Sequence, residues 1–341
     1  RQRQMCIRDS PKRLWLAQDK KAWQQWRALL EKTGLRTDEP VEYTVGIYEQ
    51  GQLIATGSYQ GKIIKCLAVC KNYQSENLLT SIITHLVERL RAVDQNHLFV
   101  YTKPENQAIF HSLGFQEILT TQTISFMELG APSFNQYEAY LRSRKKEGQN
   151  QSAIVMNANP FTKGHQYLIE TAAAESEQVY VFVLSEERSE FSARDRLEMV
   201  KMGVAHLKNV VVLTTNEYLV SSAVFPAYFL KERAPLELAQ LQATFDAQLF
   251  KQKIAPILMI KRRYVGEEPF SPVTNKYNEA MKAVFYPEIT LTIIPRLQVD
   301  DSIISATKVR EAIQKNDLPL LKKFLPETTY MYLHKLKIIK E

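Results

Sequence analysis

Two segments bring hydroxyls and cations to the openings of helices: Asn159-Pro-Phe-Thr-Lys-Gly-His165 and Ser305-Ala-Thr-Lys-Val-Arg310. The first follows an apolar run, Ala153 to Met156, and feeds a helix with Leu168, Ile169, Ala172 and Ala173 on one face. Backbone N–H groups at a helix N-terminus are unpaired and carry the positive end of the dipole, so this turn suits an anion. Lys163 and His165 stand against that dipole, an unfavourable placement unless an anion offsets it. In the second segment Ser305 is the expected N-cap, Lys308 stands where a capping box would carry Glu or Gln, and Val309, Ala312 and Ile313 face inward. Ser305, Thr307 and Arg310 form a donor set for phosphate oxygens, arginine being able to hold two at once. Either segment alone reads equally as a capped surface helix. Together they point to a polyphosphate.

The elements around them form two series. Tyr43 to Tyr48 and Leu53 to Tyr59 alternate as a hairpin around Glu49-Gln-Gly-Gln52, and Ile63 to Val69 adds a third strand. A helix bearing Leu78, Leu79, Ile82, Ile83, Leu86, Val87 and Leu90, a strand from Leu98 to Tyr101 and a short helix ending at Leu113-Gly-Phe115 complete an α+β half. The polar stretch from Leu141 to Gln151 marks the boundary, giving expected domains at 13–145 and 150–341. Beyond it strands alternate with helices: Ala153 to Met156, a helix from Gly164, Val179 to Leu184, a helix near Ala193 to Leu207, and Val210 to Leu213. The strands Ile257 to Ile260 and Ile289 to Ile294 follow, then a last helix from Ser305, with helical stretches at 221–252 inserted between. This rhythm predicts a Rossmann-like doubly wound parallel sheet, whose ligands bind beyond the carboxyl ends of the strands. The turns after Met156 and Ile294 are therefore the places to look for chemistry.

Composition bounds the rest. A chain of 341 residues is expected to form two domains, and 45% apolar with 24% charged residues excludes wholesale disorder. No apolar run approaches the roughly 18 residues of a membrane span, so no membrane partner is expected. Cys6, Cys66 and Cys70 are too few for a disulfide framework or a zinc site, which suits a reducing cytoplasm; Cys66 and Cys70, four apart, are expected to be buried inert thiols. The net charge of +7 permits nucleic acid or polyphosphate, but the basic residues are dispersed and no groove-reading motif occurs, so nucleic acid is not expected. Residues 1–12, opening on Arg and lacking a secretory apolar stretch, read as an extraneous leader.

The pair of segments resembles the two signatures of the HxGH-type nucleotidylyltransferase superfamily, here Thr162-Lys-Gly-His165 and Ile304-Ser-Ala-Thr-Lys-Val-Arg310. The longer strings Ala153 to Glu170 and Val265 to Asn278 are similar to the citrate lyase ligase family, over nearly the whole chain after the leader. That resemblance implies a cytoplasmic ligase using ATP and Mg²⁺. It would activate acetate as acetyl-adenylate and acetylate the thiol of the phosphoribosyl-dephospho-coenzyme A arm on the citrate lyase acyl carrier (gamma) subunit. It further implies roles for His165, Thr162 and Lys163 at the α/β-phosphates, for Ser305, Thr307 and Arg310 at the β/γ-phosphates, and for Asn159, Pro160, Phe161 and Gly164 in binding the nucleotide. No protein ligand to a metal is implied. Gly266, Glu267 and Glu268 follow a strand ending Lys261-Arg-Arg-Tyr-Val265 and read either as an adenine or ribose contact or as a solvated acidic turn. Arg194 and Arg196 read as a solvated helix face.

The first half resembles the GNAT acetyltransferase fold, most clearly at Lys103 to Phe115. Its expected glycine-bearing phosphate turn is replaced by Tyr73-Gln-Ser-Glu-Asn-Leu78, without a glycine to let a pyrophosphate approach the backbone. Recognition of the coenzyme-A-like arm or its carrier, and a purely structural role, both stay open for this domain. Two further readings share the same motifs: adenylyl transfer to a phosphorylated small molecule, and a non-catalytic module binding nucleotide or carrier protein.

Overall fold

Alternating burial builds the first sheet from short, locally connected strands. The computed structural model describes residues 10–38, 40–74, 77–185, 189–219, 235–267, 272–300 and 302–339. The chain divides into two compact units; the first runs to Gln136 and takes in a stretch ending at Leu238, and the second holds the remainder. In the first, β1 (Lys12–Leu14) and α1 (Lys20–Lys32) precede the meander β2 (Tyr43–Glu49), β3 (Gln52–Gln60) and β4 (Ile63–Val69). Then come α2 (Leu78–Arg91), β5 (His97–Thr102), α3 (Gln107–Ser112), β6 (Gln116–Thr120) and β7 (Ser125–Gly130). The sheet order is β1-β2-β3-β4-β5-β7-β6, with β4 and β5 the parallel neighbours. This is the expected α+β class, with Ile82, Ile83, Leu86 and Leu90 of α2 buried against the meander. The hairpin of β6 and β7 escapes the sequence reading.

β4 and β5 pair only at Ile63 with Phe99 and Ile64 with Val100. Past that point a cavity of about 570 Å³ opens, lined by Ala68, Val69, Asn77, Thr80, Thr102 and Lys103 among others. The irregularity of β4 also separates the two cysteines: Cys66 is buried with φ of 52°, beside a register shift, whereas Cys70 lies beyond the strand and is partly exposed. Burial of both thiols, expected from the sequence, holds for Cys66 and not for Cys70.

The second unit takes over within α4 (Phe134–Arg144) and alternates β8 (Gln151–Met156), α5 (Lys163–Glu175), β9 (Gln178–Val183), α6 (Ala193–Gly203) and β10 (Val210–Thr214). There follow α7 (Pro235–Leu249), a π-helical turn (Phe250–Ile254), α8 (Ala255–Leu258), β11 (Ile260–Gly266), α9 (Pro272–Phe285) and β12 (Thr290–Ile294). A small ribbon, β13 (Gln298–Val299) and β14 (Ser302–Ile303), leads into α10 (Ala306–Lys315), α11 (Leu318–Phe324) and α12 (Glu327–Lys335). The five strands lie in the order β10-β9-β8-β11-β12, all parallel. The sheet is doubly wound as expected, and the order reverses between β8 and β11, so Met156 and Gly266 head the crevice where ligands bind in such sheets. Ile154, Val181, Ile169, Met199, Val200 and Val309 fill the core beneath it.

Two expectations need correction. Residues Ile257 to Leu258 end a helix, not a strand; Met259 closes it in the left-handed region, φ 56°, and the strand starts at Ile260. A four-residue apolar run has no period to separate helix from strand. Nor is the helix from Ser305 the last, since α11 and α12 follow it. Much of the helical stretch expected from 221 lies outside the described residues, as do positions 75 and 76 of the glycine-free loop, residues 1–9 and Glu268. Among the described residues no helix is long and apolar enough to cross a membrane.

Candidate active site

Thr162 terminates the loop after β8 in extended backbone and caps α5. Its hydroxyl accepts from the His165 amide at 3.4 Å, and its own amide donates to His165 Nδ1 at 3.0 Å, so the imidazole completes a capping box that usually takes Glu or Gln. That amide bond makes Nδ1 an acceptor and leaves the ring proton on Nε2. The pKa of His165 is lowered to about 4, first by desolvation and then by the Arg296 guanidinium. The ring is therefore neutral near pH 7 and offers a donor.

Phe161, fully buried, stacks on His165 with centroids 5.8 Å apart. It presses on α6 at Gly203, where a Cβ would sit 2.2 Å from Phe161 Cε1, so only glycine admits the ring. Pro160 is buried beside it. The Lys163 ammonium points elsewhere: it donates to the carbonyls of Lys322 at 3.1 Å and Lys323 at 2.9 Å, at the C-terminal end of α11. There a cation is favoured by the helix dipole. Neither Lys163 nor neutral His165 thus needs an anion for electrostatic reasons, and that part of the sequence argument falls away.

The second entrance lies against the first. Ser305 caps α10 by accepting from the Lys308 amide at 3.1 Å. Arg310, one turn on, donates from Nη2 to Thr307 Oγ1 at 3.1 Å and from Nη1 to the Asn159 carbonyl at 2.7 Å. Its Nε lies 3.6 Å from Glu190. Gly164 abuts the same segment: a Cβ placed there would contact Ile304 Cγ2 at 3.7 Å. The two segments, taken together in the sequence as pointing to one polyphosphate, lie against each other within the second unit.

Two arginines join this site that sequence reasoning did not assign to it. Arg296, directly after β12, donates from Nε to the Glu267 carbonyl at 2.8 Å and from Nη1 to the Ile304 carbonyl at 3.3 Å. It ties the turn holding Gly266 and Glu267 to the second signature, while both those residues remain exposed. Its position after the last parallel strand was the available signal. Arg196 overturns its expectation outright. Arg194 is exposed, but Arg196 is completely buried, donating to the carbonyls of Phe191 at 3.1 Å, Leu184 at 2.8 Å and Asn157 at 3.0 Å. It braces the root of the loop. Asn159 is braced too, its side chain accepting from the Phe191 amide at 3.1 Å.

Two helix N-termini, a neutral imidazole donor and two guanidinium groups converge here, a constellation that stabilises charge on phosphoryl oxygens. A triphosphate fits this donor set. Among the described residues no three His, Cys, Asp or Glu side chains are grouped to hold a metal. A family model for the citrate lyase ligase C-terminal domain matches residues 151–333, which holds the whole constellation. The chain is also 35% identical to the [citrate [pro-3S]-lyase] ligase of Escherichia coli strain K12, over 90% of this chain and 89% of that one.

The chain belongs to the citrate lyase ligase family. The Haemophilus influenzae citrate lyase ligase, 34% identical, aligns over 91% of this chain and 94% of its own. Members of the citrate lyase ligase family are enzymes, and so is this chain. Among solved structures, Escherichia coli ElaA is similar over 36% of this chain and 99% of its own, at 10% identity and TM-score 0.32. The ribosomal-protein-S18-alanine N-acetyltransferase of Escherichia coli covers 36% and 94%, at 16% identity and TM-score 0.29.

Proposed function

We propose that this ATP-dependent citrate lyase ligase activates acetate as acetyl-adenylate and then acetylates the thiol of the phosphoribosyl-dephospho-coenzyme A arm on the citrate lyase acyl carrier subunit. The acetate carboxylate attacks the α-phosphorus, and the bond to the bridging oxygen breaks as pyrophosphate leaves with its electron pair. The arm's thiolate then attacks the acetyl carbon and AMP departs. In the first step negative charge moves onto phosphoryl oxygens, so fixed donors matter more than a general base. His165 Nε2–H and the amides opening α5 serve the α/β-phosphates, with Thr162 holding the imidazole in its donor tautomer. Ser305, Thr307, Arg310 and the opening of α10 serve the β/γ-phosphates. Mg²⁺ would accompany the triphosphate and supply further neutralisation of its charge. The Gly266 and Glu267 turn flanks the ribose and adenine, and the cavity of the first unit is offered to the arm. The working compartment is the cytoplasm.

The observation that carries this reading is the Arg310 bond to the Asn159 carbonyl, which closes both signatures on one site. The deciding experiment is ATP–pyrophosphate exchange with and without acetate, followed by transfer of labelled acetate to holo carrier protein. Exchange that needs acetate, with label appearing on the carrier, is expected. Exchange indifferent to acetate would overturn the proposal in favour of adenylyl transfer to a phosphorylated small molecule, and no exchange at all would overturn the adenylate route.

A further inference from the structure

A cavity of about 340 Å³ opens at the carboxyl ends of β8 and β11 in the second unit, beside Met156, Asn157 and Gly266. Those residues head the two turns just described, so the cavity adjoins the phosphate-binding loops. Much of its wall is apolar, including Leu184, Leu219 and Met281, yet Arg263, Asp246 and Tyr277 also line it. Arg263 is 8% exposed, its guanidinium carbon 4.5 Å above the Phe250 ring and 5.8 Å from that of Phe285. Its Nε is buried without a hydrogen-bond partner. Among the described residues the guanidinium forms no ion pair within 4.0 Å.

Asp246 acts on this cation electrostatically without bridging to it, and evolution of a stable core alone would replace such a buried charge by an apolar side chain. Asp246 is equally unfinished. Its Oδ2 accepts from the Tyr277 hydroxyl at 2.8 Å, while Oδ1 is buried without a partner. Burial raises this carboxyl to about pH 7, so near neutrality it carries a proton much of the time. The buried planar fork of Arg263, in a largely apolar wall, matches the two oxygens of a carboxylate.

We infer that this cavity seats the carboxylate of the acid substrate, anchored by Arg263, with the hydrocarbon end against Leu184, Leu219 and Met281. The inference rests on the acid-activating reading above and gives it a place for the acid. The volume is that of on the order of ten waters, more than a two-carbon acid fills.

The test uses the full chain. Thermal unfolding is followed at rising acetate and, separately, at rising inorganic phosphate, for the wild type, Arg263→Gln and Arg263→Lys; KM values for acetate and ATP are taken from pyrophosphate exchange. Acetate should protect the wild type saturably and fail to protect Arg263→Gln. The acetate KM of that variant should rise roughly 10- to 100-fold, the range expected for losing a charge-assisted pair, with the ATP KM within about twofold. Arg263→Lys should fall between, and serves if Arg263→Gln does not fold. An unchanged acetate KM, no protection of the wild type by acetate, or Arg263-dependent protection by phosphate instead, would each overturn the assignment. Arg263-dependent acetate binding together with acetate-independent exchange would sink the ligase reading and leave the cavity assignment standing.

Discussion

Nη1 of Arg310 donates to the main-chain carbonyl of Asn159 at 2.7 Å, across 151 positions of sequence. The bond fixes the last helix entrance of the parallel sheet against the first. It also commits part of the guanidinium to the protein, so the same group that would meet phosphate oxygens holds the opposite wall of their site. Arg310→Ala is therefore expected to lower kcat/KM for acetate-dependent pyrophosphate exchange by roughly 10²- to 10³-fold, as loss of one preorganised donor does. Arg310→Lys should recover little, because an ammonium cannot span both partners. Recovery to within threefold of wild type would show that charge alone suffices.

His165 predicts a pH signature whose sign follows from its lowered pKa. An unfolded-chain histidine titrates near its model value of 6.5, and the folded one near 4. Between these values the unfolded state binds more protons, so stability rises with pH through this window and is lost as pH falls from 6.5 toward 4. Above pH 6.5 the contribution is fully present. His165→Asn should show a smaller drop in Tm between pH 7.5 and pH 5 than the wild type, and exchange activity should have no limb due to this residue between pH 6 and 8. A wild-type Tm that is flat or rises on acidification to pH 5, with the variant matching it, would remove the neutral-donor role.

Both helix entrances are legible in the sequence because their signal is local: an apolar run, an N-cap hydroxyl and a helical apolar period within a few turns. What each polar side chain does there is not local. Lys163 and Lys308 look alike as cations at helix starts, yet Lys163 caps another helix and Lys308 reaches back to the Ile303 carbonyl at 3.4 Å. Arg194 and Arg196 lie two apart on one helix turn, and only the packing of α6 on the loop decides that the second faces inward. Arg263 is hidden in the basic triplet Lys261-Arg-Arg263, which as a string describes a solvated strand end. Lys261 and Arg263, two apart, would share a face of a regular strand; the register irregularity between Ile260 and Arg262 breaks that pattern, so Arg263 is buried while Lys261 stays exposed.

The placement of Lys163 separates two roles. With its ammonium on the carbonyls of Lys322 and Lys323, Lys163→Ala should cost about 0.5–1 kcal/mol of stability through the lost interaction with the end of α11. Exchange activity should stay within tenfold of wild type, with the ATP KM nearly unchanged. Urea unfolding and initial rates measure the two separately. A loss of 10²-fold or more with unaltered stability would return the lysine to the phosphates.

Arg196 is the residue on which the geometry of the first loop depends. It donates to three carbonyls, at Phe191, Asn157 and Leu184, and is wholly buried. Removing it strands those acceptors away from water, at about 1–3 kcal/mol for each one left unpaired. Arg196→Ala is expected to destabilise the chain by at least about 2 kcal/mol, whereas Arg194→Ala, on the exposed face two residues earlier, should stay within about 0.5 kcal/mol. Because Asn157 roots the loop that carries Asn159, Thr162 and His165, the folded Arg196 variant should also lose exchange activity at saturating ATP, as a misplaced donor lowers kcat. If urea denaturation gives the two alanine variants equal midpoints, the bracing role is wrong, however well the guanidinium is packed.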